Sequence, residues 1–379
     1  MQRVERYIIK PNDKRFNSIK EICHKSKNLY NYVNYIIRQD FIANKSIPKE
    51  YDLTTKLAKE KQADYISLPA QSSQQTIKLL YKNYKSFFKA LKSYQKDKSK
   101  FTSNPKLPKY KAKNGVSIVV FTNQQAKIKQ GKSLNKIHFP KSTNLKPLIT
   151  KIDNQTSTLK QVKFIPKSTC FIVEVVYECL VKATNLIENS FLSIDLGLNN
   201  FVTSIDNQSK QPFIINGRAI KSVNQFFNKL RAKYTQTLKL SNNKFHSKKL
   251  ANLALKRDCK INDFIHKSSD FIIKHCIEHK IANIVIGKNK EWKQKINLGK
   301  KTNQNFVSIP YSFFIEKMAY KCENYGIKLH LTKESHTSKF INADLNGAIG
   351  IARKVFPNAV QTLRDSGTAF VPIKISIGF

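Results

Sequence analysis

The run Leu192-Ser193-Ile194-Asp195-Leu196-Gly197-Leu198 places one acidic residue within an otherwise largely apolar stretch. Continuous apolar runs are typical of strands that are buried on both faces of a sheet. A lone buried carboxylate is costly unless it is paired or binds a metal ion, and Gly197 allows a backbone or a substrate to approach closely. The run therefore predicts a buried strand and makes Asp195 a candidate functional residue. The simpler interpretation is an Asp that caps or turns the end of a strand.

The sequence that follows this run alternates between strand and helix patterns, which favours a mixed α/β sheet covered by helices. Lys182 to Glu188 is the expected linker in front of it. The predicted strands are 191–203, 213–216, 281–286 and 328–332. The predicted helices lie near 223–234, at 248–280, after Pro310, and at 342–355.

The N-terminal half has a different pattern. Val4 to Ile9 predicts a strand, residues 15–98 have helical spacing, and short β runs fill 116–177. Residues 94–115 form a basic loop in which Pro105 and Pro108 exclude a continuous helix. The sequence therefore predicts a β unit interrupted by a helical insertion.

The charge of the chain requires a polyanionic partner. Its 68 Lys and Arg residues against 25 Asp and Glu residues give a formal net charge of +43. Nucleic acid is the leading interpretation, because basic side chains that neutralise phosphates release counterions. Codon bias is the simpler explanation for abundant Lys, but it does not explain the scarcity of acids.

A basic stripe on one predicted helix fits this partner. The stripe consists of Lys78, Lys82, Lys85, Lys89 and Lys92, which recur at three- and four-residue steps between apolar positions. Such a face suits a helix that lies along a phosphate backbone. An ordinary amphipathic helix with a solvated Lys face explains the same pattern equally well.

Two further carboxylates could join Asp195. Asp344 lies at the start of a predicted helix, where an Asp also simply complements the helix dipole. Glu334 ends a predicted strand and is otherwise a surface residue. Three carboxylates from separate elements of a basic α/β domain fit a Mg²⁺ site that uses substrate phosphate as well. His275, Cys276 and His279 form a weaker candidate metal site on an apolar helix.

Several protein classes are excluded by the sequence. No apolar run is long enough to span a membrane, and the N-terminal residues contain no secretory signal pattern. The six cysteines include no C-x-x-C pair, which excludes a Cys-rich zinc ribbon and makes a disulfide framework improbable. We therefore expect a cytoplasmic, prokaryotic protein that associates with the nucleoid when it binds DNA.

Many short motifs together resemble the TnpB/OrfB family of insertion-sequence proteins, which are related to type V CRISPR effectors. In the N-terminal half the resemblance is carried by Glu5-Arg6-Tyr7-Ile8-Ile9-Lys10-Pro11, Lys25-Ser26-Lys27-Asn28-Leu29-Tyr30-Asn31, Leu68-Pro69-Ala70 and Pro105-Lys106-Leu107-Pro108-Lys109-Tyr110. In the C-terminal half it is carried by Ser193-Ile194-Asp195-Leu196-Gly197, Ile215-Asn216-Gly217-Arg218, Ile286-Gly287-Lys288-Asn289-Lys290, Trp292-Lys293-Gln294, Asn303-Gln304-Asn305-Phe306-Val307, Glu334-Ser335-His336-Thr337-Ser338-Lys339 and Asn342-Ala343-Asp344-Leu345-Asn346-Gly347. The similarity runs nearly from end to end.

The resemblance implies an α/β fold combined with a β-barrel, and an RNA-guided DNA endonuclease. The implied domains are a wedge β-barrel at 1–12 and 100–183, a helical recognition insert at 13–99, and an RNase H-like RuvC nuclease domain at 189–379. The implied partners are a guide RNA from the end of the element and a double-stranded DNA target, bound by a monomer or a homodimer. Base pairing then reads the target sequence, while the protein reads shape and a short flanking motif.

The family pattern also assigns roles to residues. Asp195, Glu334 and Asp344 are the implied ligands of Mg²⁺, with two ions expected, and the implied catalytic residues. Many relatives carry the Glu ligand just after the strand equivalent to 284–286, but this chain has Gly287 there. Some relatives instead supply a Glu just before the Thr-Ser-Lys motif, which is the place of Glu334. Glu291 is the alternative, because it is close in sequence to Gly287. The basic stripe, the basic loop and the family motifs together give the residues expected to bind nucleic acid, namely Lys78, Lys82, Lys85, Lys89, Lys106, Lys109, Lys111, Arg218 and Lys293.

One departure from the family leaves the activity open. Relatives carry a zinc ribbon between the Thr-Ser-Lys and Asn-Ala-Asp motifs, but here Lys339 is followed by only Phe340 and Ile341 before Asn342, so no zinc is expected. The main alternatives are a nuclease-inactive RNA-guided repressor and a decayed transposon copy. A transposase that acts directly on DNA ends is a weaker alternative, because no Tyr or His-x-His nucleophile pattern is visible. A plain RNA-binding protein would not need Asp195.

Overall fold

The computed structural model describes residues 1–44, 46–131, 134–182, 184–209, 211–243, 245–288, 309–333, 343–365, 367–368 and 371–379. The chain divides into two compact units, Gln2–Leu180 and Val181–Phe379. No helix in the described ranges is long and apolar enough to cross a lipid bilayer.

The first unit contains two antiparallel sheets. Its strands are β1 (Gln2–Ile9), β2 (Val119–Thr122), β3 (Lys127–Lys129), β4 (Asn135–His138), β5 (Leu148–Thr150), β6 (Ser157–Pro166) and β7 (Phe171–Cys179). One sheet has the order β1-β7-β6-β2 and the other the order β3-β4-β5. The predicted β runs are thereby confirmed, while their closure into a wedge barrel stays a prediction.

The helical interruption between β1 and β2 is also confirmed. Its helices are α1 (Phe16–Asn44), α2 (Glu50–Lys59), α3 (Ala63–Ile66) and α4 (Ala70–Lys96). Helix α4 buries Ile77, Leu80 and Tyr84 in the core of this unit. Its opposite face exposes the basic stripe, namely Lys78, Lys82, Lys85, Lys89 and Lys92.

The second unit is built around one mixed sheet. Its strands are β8 (Ile187–Asp195), β9 (Asn200–Asp206), β10 (Phe213–Asn216), β11 (Ile281–Gly287), β12 (Lys328–Thr332) and β13 (Ile373–Ile375). The order is β12-β11-β8-β9-β10-β13, in which β8, β9 and β10 are antiparallel and β11 is parallel to both β8 and β12. The helices are α5 (Arg218–Asn242), α6 (Lys248–Glu278), α7 (Tyr311–Asn324), α8 (Ala343–Arg353) and α9 (Ala359–Asp365).

Helices cover both faces of this sheet, which explains its continuous apolar strands. Leu192 and Ile194 face a core that includes residues of α6 and α7. Phe191 faces a separate, smaller core with Leu345 and Ala348 of α8. Because successive strand residues point to opposite faces, Ser193 and Asp195 share the α8 side with Phe191.

The single strand predicted over 191–203 was wrong, since the chain forms β8 and β9 with a tight turn between them. A Cβ atom on Gly197 would lie 2.6 Å from the carbonyl oxygen of Asn200, so the turn requires glycine there. The Tyr311 hydroxyl donates a hydrogen bond of 2.9 Å to the Gly197 carbonyl and holds the turn. The linker predicted at 182–188 also ends early, because β8 already begins at Ile187.

The C-terminal residues contain two elements that the sequence pattern did not predict. Helix α8 was expected to be the last element, but α9 and β13 follow it. Strand β13 extends the mixed sheet by pairing in parallel with β10. The other predicted strands and helices of this unit agree with the structure to within a few residues, apart from α5, which is longer at both ends.

Candidate active site

The carboxyl end of β8 meets the first turns of α8, and this contact brings two predicted site residues together. Asp195 is the last residue of β8, and Asp344 lies in the first turn of α8. The Ser193 hydroxyl donates a hydrogen bond to the Ala348 carbonyl, which fixes the helix against the strand. The strand therefore ends in a carboxylate that faces the beginning of the helix.

The pKa of Asp195 indicates that its carboxylate lies close to the carboxylate of Asp344. Burial and, to a smaller extent, the negative charge of Asp344 together raise the pKa of Asp195 to about 6, against a smaller opposing effect of the Leu196 backbone N–H. Among the described residues, no basic side chain contributes to this shift. A pair of neighbouring carboxylates without a cation is the kind of site in which a bound metal ion would supply the missing charge.

Gly347 allows the close approach of α8 to β8. A Cβ atom at this position would lie 2.5 Å from Oδ2 of Asp195 and 3.1 Å from its Cγ. Any larger side chain would therefore push the Asp195 carboxylate out of its present position. The glycine of the Asn-Ala-Asp-Leu-Asn-Gly motif is thus explained by packing against the candidate site.

Asn200 orients the second carboxylate of the pair. Its side-chain Nδ2 donates a hydrogen bond of 2.7 Å to Oδ2 of Asp344. Asn200 begins β9, so the turn that follows Asp195 also delivers this amide to Asp344. The sequence analysis did not single out Asn200, although its position five residues after Asp195, directly after a glycine-containing turn, is a visible signal.

Replacing Asn200 with Ala is expected to weaken divalent-metal binding by about tenfold, because hydrogen-bond partners of metal ligands fix the orientation of those ligands. The measurement is the half-saturating Mn²⁺ concentration, followed by electron paramagnetic resonance on the purified protein. Asn199→Ala is the matched control, since Asn199 accepts its hydrogen bond from Lys221 rather than contacting Asp344. Equal Mn²⁺ binding by wild type and Asn200→Ala would contradict the assigned role.

The other predicted ligands cannot be placed. Glu334 and its alternative Glu291 lie outside the described residues, as do residues 339–342, where the zinc ribbon is missing. Within the described ranges, no group of three or more His, Cys, Asp or Glu side chains is arranged to hold a metal ion. The donor set that the structure does bring together is two carboxylates, and oxygen ligands of this type fit Mg²⁺.

The weaker candidate metal site on α6 is not supported. His275 Nε2 lies 2.9 Å from Oδ2 of Asp206, whose side chain is fully buried. Burial alone would raise the pKa of Asp206, but hydrogen bonds from His275 and Ser209 outweigh it and hold the pKa below its usual value. Cys276 is buried, which raises the pKa of its thiol. His275 therefore belongs to a structural hydrogen-bonded pair with Asp206 rather than to a metal site.

Removing His275 is expected to destabilise the fold by about 3 kcal/mol, because His275→Ala removes a side-chain hydrogen bond from the buried Asp206 carboxylate. Since the pKa of Asp206 is depressed in the folded state, the pair stabilises the fold above the unfolded pKa near 4 and loses this effect as the pH falls below it. Urea unfolding at pH 7 measures the loss. His279→Ala, which removes a ring 4.5 Å from that of His275, is the control and should cost less than about 1 kcal/mol.

The predicted nucleic-acid contacts occupy different settings. Arg218 is exposed at the start of α5, and Lys106 and Lys109 are exposed in the basic loop. Lys111 is half-buried, with its Nζ 4.7 Å from the centre of the Tyr30 ring, and this burial lowers its pKa. Lys293 lies outside the described residues.

Comparison with known proteins agrees with this architecture. In a search of solved structures, the chain is similar to one titled "Cryo-EM structure of the Cas12f1-sgRNA-target DNA complex", with a TM-score of 0.60 and 15% identity over 88% of this chain and 81% of that chain. It also matches one titled "Cryo-EM structure of CRISPR-Cas12f Ternary Complex", with a TM-score of 0.33 and 15% identity over 85% of this chain and 72% of that chain. The first match defines the class, a mixed α/β fold like that of Cas12f1.

A sequence comparison matches part of the chain to a family model. Residues 174–293 match the OrfB_IS605 family model, which is described as a probable transposase. This segment includes Asp195. Together with the fold, the match confirms the TnpB/OrfB family resemblance that the sequence motifs indicated. A search of curated proteins gave no match.

Proposed function

We propose that this chain is an RNA-guided, Mg²⁺-dependent DNA endonuclease of the TnpB type, encoded by an insertion sequence. The observation that carries the proposal is the pair of neighbouring carboxylates, Asp195 and Asp344, where a buried strand meets the first turn of a helix. The net charge of +43 supports a nucleic-acid substrate. The OrfB_IS605 match and the fold similar to Cas12f1 support the same family of activities.

In this proposal, residues 189–379 form the RuvC-like nuclease domain with an RNase H-like fold. Residues 1–12 and 100–183 form the wedge domain, and 13–99 form the recognition insert. The guide RNA and the target DNA would bind the basic surfaces of the chain, with the protein acting in the cytoplasm as a monomer or a homodimer. These assignments follow the family resemblance.

Each residue of the site would have a distinct role in binding Mg²⁺ or in positioning a ligand. Asp195 and Asp344 would bind Mg²⁺, with Glu334 as the third ligand. Bound Mg²⁺ ions would activate the attacking water and stabilise the leaving oxygen of the phosphodiester. Asn200 would hold the Asp344 carboxylate in one orientation, and Gly347 would keep the space in which the Asp195 carboxylate sits.

The test is guided cleavage by the full chain. The protein would be co-expressed with the DNA that flanks its element, purified with its bound RNA, and given matched and mismatched DNA targets in Mg²⁺ or EDTA. Cutting only of the matched target, and only in Mg²⁺, is the expected result. Absence of bound RNA, or cutting that ignores the match, would contradict the proposal.

A second candidate function is guided binding without cleavage, as in a repressor or a decayed copy. The observation that favours it is the missing zinc ribbon after Lys339. In the same assay this candidate predicts tight binding of the matched target with no cut strand. A transposase acting directly on DNA ends predicts neither a guide requirement nor sensitivity to target mismatches.

A further inference from the structure

The basic loop is held along helix α1 through its own backbone. The side-chain amide of Asn31 donates 2.9 Å to the Lys111 carbonyl, and the Lys111 N–H donates 2.9 Å back to the Asn31 oxygen. The Asn34 amide donates to the Pro108 carbonyl at 3.2 Å. We refer to residues 105–115 as the strap, because they run along α1 in an irregular but anchored conformation.

The anchoring continues toward the C-terminal end of the strap. Lys27 is buried, and its Nζ donates a hydrogen bond of 2.7 Å to the Lys113 carbonyl. His24 Nδ1 lies 3.1 Å from the Gly115 carbonyl oxygen. Backbone carbonyls of the strap therefore face α1 and are hydrogen-bonded there. Because the backbone of the strap is already ordered, it loses little further backbone entropy when its outward side chains bind a partner.

The outward side chains of the strap are basic and aromatic. Lys106, Lys109 and Lys113 are exposed, and Tyr110 is 45% exposed. The Arg38 guanidinium lies 4.9 Å from the centre of the Tyr110 ring. A cation over one face of the ring holds the ring in place.

Helix α1 adds a second exposed ring to this surface. Tyr35 is 54% exposed and lies three residues before Arg38, so the two side chains are neighbours on the helix surface. Arg38 in turn contacts Tyr110. We define the candidate surface as Tyr35, Arg38, Tyr110 and the strap lysines, because Arg38 contacts Tyr110 and follows Tyr35 by three residues on α1.

We infer that this surface binds single-stranded nucleic acid, with bases stacked on Tyr35 and Tyr110 and phosphates held by the strap lysines. Aromatic rings alternating with basic side chains are the combination that binds unpaired strands, because an unpaired base exposes its faces for stacking. A duplex offers phosphates but keeps its base faces stacked internally. This inference rests on the proposed function only in requiring that the chain binds nucleic acid, and not on cleavage.

The test compares single strands with a duplex on the full chain after its nucleic acid is removed in high salt. Fluorescence anisotropy would measure Kd for oligouridine, oligothymidine and a duplex of the same length, about 12 units. For the double variant Tyr35→Ala/Tyr110→Ala we expect Kd for single strands to rise by about tenfold per ring, with an unchanged salt slope and unchanged duplex binding. If oligouridine bound more tightly than oligothymidine, the surface would prefer single-stranded RNA. Equal Kd values would mean that it binds single-stranded RNA and single-stranded DNA alike.

Two controls separate stacking from general damage. Tyr51→Ala removes a ring that is 78% exposed on α2 and should leave every Kd unchanged. Tyr35→Phe/Tyr110→Phe keeps both rings and should restore single-strand binding. If the Ala double variant kept wild-type affinity, or lost as much affinity for the duplex as for single strands, this inference would be wrong and the proposed function would still stand. A wild-type chain that binds no nucleic acid would overturn the proposed function as well.

Discussion

Asp195→Asn is expected to reduce guided cleavage by about 1000-fold or more and, at the same time, to stabilise the metal-free protein. The activity falls because a lost metal ligand removes several kcal/mol of transition-state stabilisation. The stability rises because the Asp195 carboxylate is buried beside Asp344, with a pKa raised to about 6. At neutral pH, ionising it in the folded state costs on the order of 2 kcal/mol relative to the unfolded chain.

The pH dependence of this gain has a definite sign. Because the pKa of Asp195 is higher in the folded state, its ionisation destabilises the wild type above pH 6, and the penalty disappears as the pH falls toward 4. The stability difference between Asp195→Asn and wild type in EDTA should therefore be largest near pH 7 and vanish near pH 4. Chemical denaturation at both pH values measures it.

The control for this variant is Asp365→Asn, since Asp365 is exposed on α9. It should change neither the cleavage rate nor the stability in EDTA. Full activity of Asp195→Asn would exclude Asp195 from the site. A loss of activity together with a loss of stability would instead mean that Asp195 holds the fold.

Gly347→Ala is expected to reduce cleavage by about 100-fold while leaving the protein folded. The added Cβ would lie 2.5 Å from Oδ2 of Asp195, so the carboxylate must move. A displacement of about 1 Å at a reacting group can cost this much activity. The fold should survive because the atom that moves is the end of a side chain, and Ala favours a helix over Gly by about 1 kcal/mol.

The measurement is the single-turnover cleavage rate at saturating Mg²⁺, with a thermal melt beside it. Gly378→Ala is the control, because a Cβ there meets no atom within 4 Å. A wild-type rate in Gly347→Ala would mean that the position of the Asp195 carboxylate does not matter to the reaction. A collapsed melting transition would mean that the contact serves packing instead.

Much of the architecture could be predicted from local sequence patterns. Strands β10 and β12 were expected within their observed bounds. Strand β10 is a short apolar run, strand β12 alternates polar and apolar residues, and each has turn residues beside it. The single strand expected over 191–203 was wrong because apolar residues continue on both sides of the turn. The break is marked by residue types that favour turns, namely Gly197, Asn199 and Asn200. The apolar residues on both sides nevertheless gave the pattern of one long strand.

Pairings between distant residues could not be predicted in the same way. His275 and Asp206 are 69 residues apart, and nothing in the local pattern of α6 points to a buried partner on β9. The effect of Asn200 on Asp344 spans 144 residues and depends on the packing of α8 against the sheet. Asp195 could be singled out because an acid in an apolar run is costly. Asp344 could be named as a candidate partner from the scarcity of acids, and the family resemblance implied the same site, but the contact between them depends on how α8 packs against the sheet.

The most direct test of the central claim is to locate divalent ions at the β8–α8 contact. Crystals of the wild-type protein grown with Mn²⁺ in place of Mg²⁺ would be measured at an X-ray energy where Mn²⁺ scatters anomalously. The account predicts an anomalous peak bound by both Asp195 and Asp344, which is absent in Asp195→Asn crystals. Two carboxylates that remain without any bound ion at saturating Mn²⁺ would contradict it.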